Sequence, residues 1–194
     1  MNQSLEVLYD HYKDTYQLNL LVQKERDRLF VKLCLTLTTL LLIIVDPNTL
    51  SILASTIVEN ELKIIIPHSL VIVQSFLWAL LLYFFASYFR KILYIERQYV
   101  YIHELEVVIA EILDKKFTRE GNSYLEDYPM ILNFTHYLYQ LIFPVLSIII
   151  VVYKIYLEII SEIFLIAKIF DFVMGMFVVI VIVLYLYFII KKMN

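Results

Sequence analysis

Polar and apolar positions divide this chain into long blocks. Residues 29–45, 68–89, 138–152 and 172–190 are apolar with few interruptions. A helix needs about 20 residues to cross a bilayer. The first block is short by that measure, so Lys32 is expected to reach the interface along its aliphatic stem. The run 172–190 is apolar throughout, broken by one glycine. A membrane β-barrel strand would instead alternate apolar and polar residues. The pattern therefore predicts an all-α, polytopic membrane protein with four transmembrane helices.

The intervening stretches carry helical periodicity of their own. Ser4 is placed to cap a first helix, with Glu6 in its first turn. Leu5, Leu8, Tyr12 and Tyr16 then share one face, and Glu6, Asp10, Lys13 and Asp14 lie off it. That amphipathic start either packs against another helix or lies on lipid. Neither glycine nor proline interrupts 19–28, so one helix is expected to run on into the first span. Asp46-Pro47-Asn48 ends it. Residues 49–66 form a short excursion with room for an interfacial helix, and Pro67-His68 opens the second span. Ser75 and Ala79 form a small-xxx-small pair suited to close helix approach.

No breaker occurs between 88 and 116. Leu93, Val100, Leu105, Val108 and Ile112 keep an apolar face there, with Glu96, Arg97, Glu104 and Glu111 opposite. The second span is thus expected to continue as one helix projecting on the order of 40 Å from the bilayer. Its apolar face needs a cover, supplied by the N-terminal helix, by residues 130–137 or by another subunit. Residues 117–129 read as a loop around the Gly121-Asn122-Ser123 turn, and Asp127 ahead of Pro129 marks a new helix start. Pro144 is expected to kink the third span. Lys154, Glu158, Glu162, Lys168 and Asp171 then punctuate the chain, so that span is expected to emerge there. Lys191-Lys192 stops the fourth. The organisation is a cytosolic N-terminal helix (1–28), a first pair of spans (29–89), a cytosolic helical insert (90–137) and a second pair (138–194).

Composition sharpens this picture. Hydrophobic residues are 61% of the 194, with only two glycines and four prolines. Soluble domains hold roughly 45–50% apolar residues, and a β-sandwich would need more turn formers. Cys34, the single cysteine, excludes an internal disulfide framework and a cysteine-clustered zinc site. The acidic, polar start is unlike a secretory signal peptide, so the first span is expected to stay as an anchor. Basic residues set the orientation. Lys13, Lys24, Arg26, Arg28 and Lys32, the insert, and Lys191 and Lys192 outweigh Lys63, Lys154 and Lys168 on the other side. The positive-inside rule then puts both termini and the insert in the cytoplasm.

Candidate chemistry is sparse. The chain holds no glycine-rich phosphate loop, GxSxG, HExxH or Cys/His cluster. No catalytic residue, metal site or cofactor is assigned, and the chain is not expected to be an enzyme. An enzyme would need a carboxylate or histidine cluster inside the spans, and the sequence pattern reveals none. His11, His68, His103 and His136 are dispersed. Arg28, Lys32, Thr36 and Thr39 form a helical stripe that either bonds to its own and neighbouring helices or lines a wet pore. Arg90, Lys91, Arg97, Lys115, Lys116 and Arg119 either hold orientation against anionic head groups or bind an anionic ligand, with Tyr94, Tyr101, Phe117 or Tyr124 as stacking faces. Lys154, Glu158 and Glu162 have the spacing of intrahelical pairs.

The insert contains YIER at 94–97, YIHELE at 101–106 and FTREGNSYLEDYP at 117–129. With four spans and both ends inside, it resembles the small membrane effectors of bacterial anti-phage defence, of the Hailong or Kiwa kind. The Hailong resemblance implies a homo-oligomeric, ligand-gated ion channel in the inner membrane. A partner nucleotidyltransferase's oligonucleotide product holds such a channel closed, and its loss depolarises the cell. The Kiwa resemblance implies phage sensing with a cytosolic protein partner; the alternative to a channel is a non-conducting membrane scaffold or sensor subunit that recruits such a partner through residues 90–137.

Overall fold

The computed structural model describes residues 3–46, 69–115, 137–161 and 164–193, with the single positions 48, 52, 56 and 134. The expected loop at 117–129, most of 49–66, and Lys116, Arg119, His68, His136 and Glu162 lie outside the described residues. Four helices dominate: α1 (Gln3–Val45), α2 (Ser69–Leu113), α3 (Phe143–Ile160) and α4 (Leu165–Met193). A π-helical turn, Leu138–Ile142, leads directly into α3. The described residues contain no strand, and four helices are long and apolar enough to cross a membrane.

Local chemistry shapes the helix ends. α2 stops at Leu113 rather than running to 116. Asp114 adopts φ 49°, a left-handed conformation that an α-helix cannot continue through and that aspartate tolerates better than most residues. The Lys115 amide then turns back to the Ala110 carbonyl. Pro144 directly follows the π-helical turn, so the helical path departs from regular α-geometry next to the proline expected to kink the third span. α3 itself passes 152 and continues to Ile160 through Lys154 and Glu158, both buried.

The chain divides into two compact units, Met1–Leu29 with Tyr88–Tyr137, and Phe30–Ser87 with Leu138–Asn194. Both boundaries between the first and second halves of α1 and α2 fall inside unbroken helix.

In the first unit, α1 lies antiparallel to α2. Ascending positions on one helix meet broadly descending positions on the other: His11 with Tyr101, Tyr12 with Glu106, Gln23 with Tyr99, Glu25 with Lys91. Tyr12, Ile102, Leu105 and Ile109 form the core, with Leu5, Leu8 and Tyr16 against it. The amphipathic start of the chain thus packs on a helix, which is where its apolar face finds cover.

In the second unit, α2 touches every other helix. Phe85 meets Phe143, and Gln74 meets Lys154 and Glu158, so α2 and α3 are antiparallel. Gln74 and Trp78 approach Asp171 and Gly175 in the same order, so α2 and α4 are parallel. Phe30 of α1 stacks edge-on to Tyr139 and Phe143, and Lys32 lies over the Phe84 ring.

Buried positions follow a 3.5-residue spacing. They are Leu33, Thr36, Leu40 and Ile43 on α1; Gln74, Trp78, Leu81 and Phe85 on α2; and Val178, Ile182, Tyr185 and Ile189 on α4. This is the narrow seam of helices packed nearly parallel or antiparallel. Gly175 shows how tight it is. A Cβ there would sit 2.7 Å from Ile155 Cδ1 and 3.3 Å from Trp78 Cη2. A narrow seam buries little of an apolar helix: only 28% to 33% of each helix's most apolar stretch is covered. The remaining apolar surface, including Phe172, Met176, Phe177, Val183 and Leu184, faces outward.

Candidate functional site

The seam register explains an unusual feature of the second unit. Pro144, Ser147, Val151, Lys154 and Glu158 are spaced three, four, three and four on α3, and all are buried. Asp171 precedes Gly175 and Val178 on the α4 seam, and Gln74 precedes Trp78 and Leu81 on that of α2. Gln74, Lys154, Glu158 and Asp171, like Ser147, thus occupy positions that face inward whatever their chemistry.

Their geometry is mutually compensating. Lys154 Nζ donates to Gln74 Oε1 at 2.9 Å and lies 3.4 Å from Glu158 Oε1. Gln74 Nε2 donates to Glu158 Oε1 at 2.8 Å and to Asp171 Oδ2 at 3.1 Å. Trp78 Nε1 donates to Glu158 Oε1 at 3.1 Å. Ser75 also reaches the Asp171 carboxylate. Asp171 and Trp78 are fully buried, and Gln74, Lys154 and Glu158 nearly so. Stripping water from a charge costs several kcal/mol, on the order of the roughly 2.5–3.5 kcal/mol for inserting a lysine or aspartate at a span centre. The opposed charges and shared amide offset that cost. This is how α3 carries Lys154 and Glu158 on its buried face. Sequence reading missed this buried carboxylate group; its signal was the shared 3.5-residue register of 147, 151, 154 and 158.

Lys168 closes the adjoining turn. Its ammonium donates to the carbonyls of Ile159 (2.9 Å) and Ser161 (2.8 Å), two groups left over at the end of α3. The Ser161 hydroxyl donates to the Glu158 carbonyl at 2.8 Å.

The sequence-predicted residues fall as follows. Thr36 donates to the Lys32 carbonyl at 2.8 Å and Thr39 to that of Leu35 at 2.9 Å. Both hydroxyl protons are thereby donated within their own helix. Arg28 and Lys32 are exposed. Of the anion-binding candidates, Arg90 and Arg97 are exposed and share a face of α2, being seven residues apart. Lys115 is exposed beyond the helix end. Lys91 pairs with Glu25 across the helix pair. Its hydrogen bond and then its charge hold the Glu25 carboxyl below the usual carboxylate range. Lys116 and Arg119 lie outside the described residues, so the six are not seen as one group. Among the described residues no set of His, Cys, Asp and Glu could hold a metal ion.

In the first unit, sequence reading also missed Tyr12 and Glu106 as a buried pair. The Tyr12 hydroxyl donates to Glu106 Oε1 at 2.9 Å.

Comparison with protein-family models, with curated proteins and with solved structures returns no match.

Proposed function

We propose that this chain is a multi-pass protein of the bacterial inner membrane that assembles with its own copies into an ion channel. Both termini and residues 90–137 face the cytoplasm, following the basic residues. The channel answers to an event at the cytosolic helix pair, and its opening depolarises the cell, as the resemblance to anti-phage effectors implies. An oligonucleotide or nucleotide made by a partner nucleotidyltransferase is the ligand that this reading supplies. Arg90, Lys91, Arg97 and Lys115 are its described candidate contacts.

One observation carries the proposal. α1 and α2 each belong to both compact units and pass from one to the other without a break. A rigid helix transmits a displacement of its soluble half into its apolar half, where a flexible linker would absorb it. The large outward apolar surface supports assembly in lipid with further copies, since four helices are too few to enclose a wide pore.

A second reading is favoured by the threonines. Hydroxyls bonded to their own helix need no water-lined path, and a non-conducting scaffold that recruits a cytosolic partner through the insert fits them as well. A membrane-potential dye in cells expressing the chain alone separates the two. A default-open channel depolarises the cells. An unchanged potential at equal membrane abundance favours the scaffold.

A further inference from the structure

We propose that the buried cluster of the second unit is a proton-binding site, in which the carboxyls of Glu158 and Asp171 together hold one exchangeable proton beside the ammonium of Lys154. The charge count is the first reason. Among the described residues two carboxylates face one ammonium, so the fully ionised, buried cluster carries one uncompensated negative charge. One proton, taken from water onto a carboxylate oxygen, makes it neutral and alters no other bond.

The oxygen atoms are the second reason. The mapped donors converge on one oxygen of each carboxylate. Glu158 Oε1 receives Gln74 and Trp78 and faces Lys154, and Asp171 Oδ2 receives Gln74. Glu158 Oε2 and Asp171 Oδ1 are buried with no hydrogen-bond partner among the described residues. Each is an open position for a proton. Because Gln74 Nε2 donates to both carboxylates, the two lie close enough to repel when both are charged, the arrangement in which two acids hold one proton in common.

A metal ion fits less well. Hard cations take six or more oxygen ligands, and an ammonium already stands in the cationic place against Glu158. Among the described residues, the groups facing the site are Gln74, Ser75 and Trp78 from α2, Lys154 and Glu158 from α3, and Asp171 from α4. Lys168 is engaged with the carbonyls ending α3. On α1, Asp46 follows the helix end and is exposed, and Lys32 lies over Phe84, ten residues along α2 from Gln74. The inference stands independently of whether the chain conducts ions.

The test is infrared difference spectroscopy of the purified full chain in lipid nanodiscs, stepped from mildly alkaline to mildly acid buffer. The readout is the C=O stretch of a protonated carboxyl, identified by its deuterium shift. Subtracting the spectrum of Glu158→Gln/Asp171→Asn isolates the site from the other acids. One carboxyl band is expected in the wild type and lost in the double variant. The single variants Glu158→Gln and Asp171→Asn guard against misfolding of the double. Each leaves one carboxylate against one ammonium, so each is also expected to lose the band. Indistinguishable spectra from wild type and folded variants overturn the proposal. So does loss of the wild-type band on raising Na⁺ or K⁺ at fixed pH, which would mark a metal-cation site.

Discussion

Replacing Lys154 with methionine keeps an unbranched apolar stem on the α3 seam and removes only the ammonium. The Lys154 and Glu158 side chains are 6% and 4% exposed, so solvent does not screen what is left. Removing one partner of such a pair costs about 3–5 kcal/mol, because the remaining charge stays buried. Gln74 and Trp78 still donate to Glu158 Oε1, which places the expected loss near the lower bound, about 3 kcal/mol, or roughly a hundredfold in the folding equilibrium. Trp78 is the chain's single tryptophan and touches Glu158, so its fluorescence reports the site during reversible unfolding in mixed micelles. Lys154→Met/Glu158→Gln removes both charges of the pair and is expected to recover about 1 kcal/mol or more of the single variant's loss, the coupling expected of contacting residues. A Lys154→Met protein within about 0.5 kcal/mol of wild type, the range of ordinary surface changes, would refute the reasoning.

Gly175 tests the seam. Alanine there gains about 1 kcal/mol of helix propensity but must displace Ile155, whereas Gly175→Leu overpacks the Ile155–Trp78 contact and is expected to cost about 1–3 kcal/mol in the same unfolding assay. In the first unit, Tyr12→Phe deletes the buried bond to Glu106 and is expected to cost about 1.5–3 kcal/mol, read as faster amide exchange around Tyr12 and Ile102. Glu25 gives a pH prediction. Its folded-state value is depressed by Lys91, so its contribution is present above the unfolded carboxyl value and is lost as pH falls through the folded one. Because Glu25 is exposed the effect is small, and Lys91→Ala or high salt is expected to move the Glu25 carboxyl titration upward in carbon NMR.

The helical class and the four apolar segments were legible because apolar runs and missing breakers are local properties of the chain. The register was legible only in part. Tyr12 and Tyr16 lie on the face that the pattern assigns inward, but on α2 the pattern named Val100, Val108 and Ile112, which are exposed, together with Leu105, which is buried. In a helix this rich in aliphatic residues, apolar side chains occur on every face, so periodicity of hydrophobicity loses contrast. The polar cluster was hidden for a related reason. Lys154 and Asp171 look like span ends when each charge is considered alone, and become tolerable inside only through contacts between α2, α3 and α4. The end of α2 depended on one backbone angle at Asp114, which no composition rule predicts.

Planar-bilayer recording from purified, oligomeric protein tests the central claim most directly, with Ile95→Pro beside the wild type. Ile95 is buried midway along α2, and proline there breaks the helix at a cost of about 3 kcal/mol or more. Wild-type protein is expected to carry ion current, and Ile95→Pro to insert equally well but to lose any response to conditions applied at the helix pair. Intact wild-type oligomers that carry no current under any ligand condition would contradict the account.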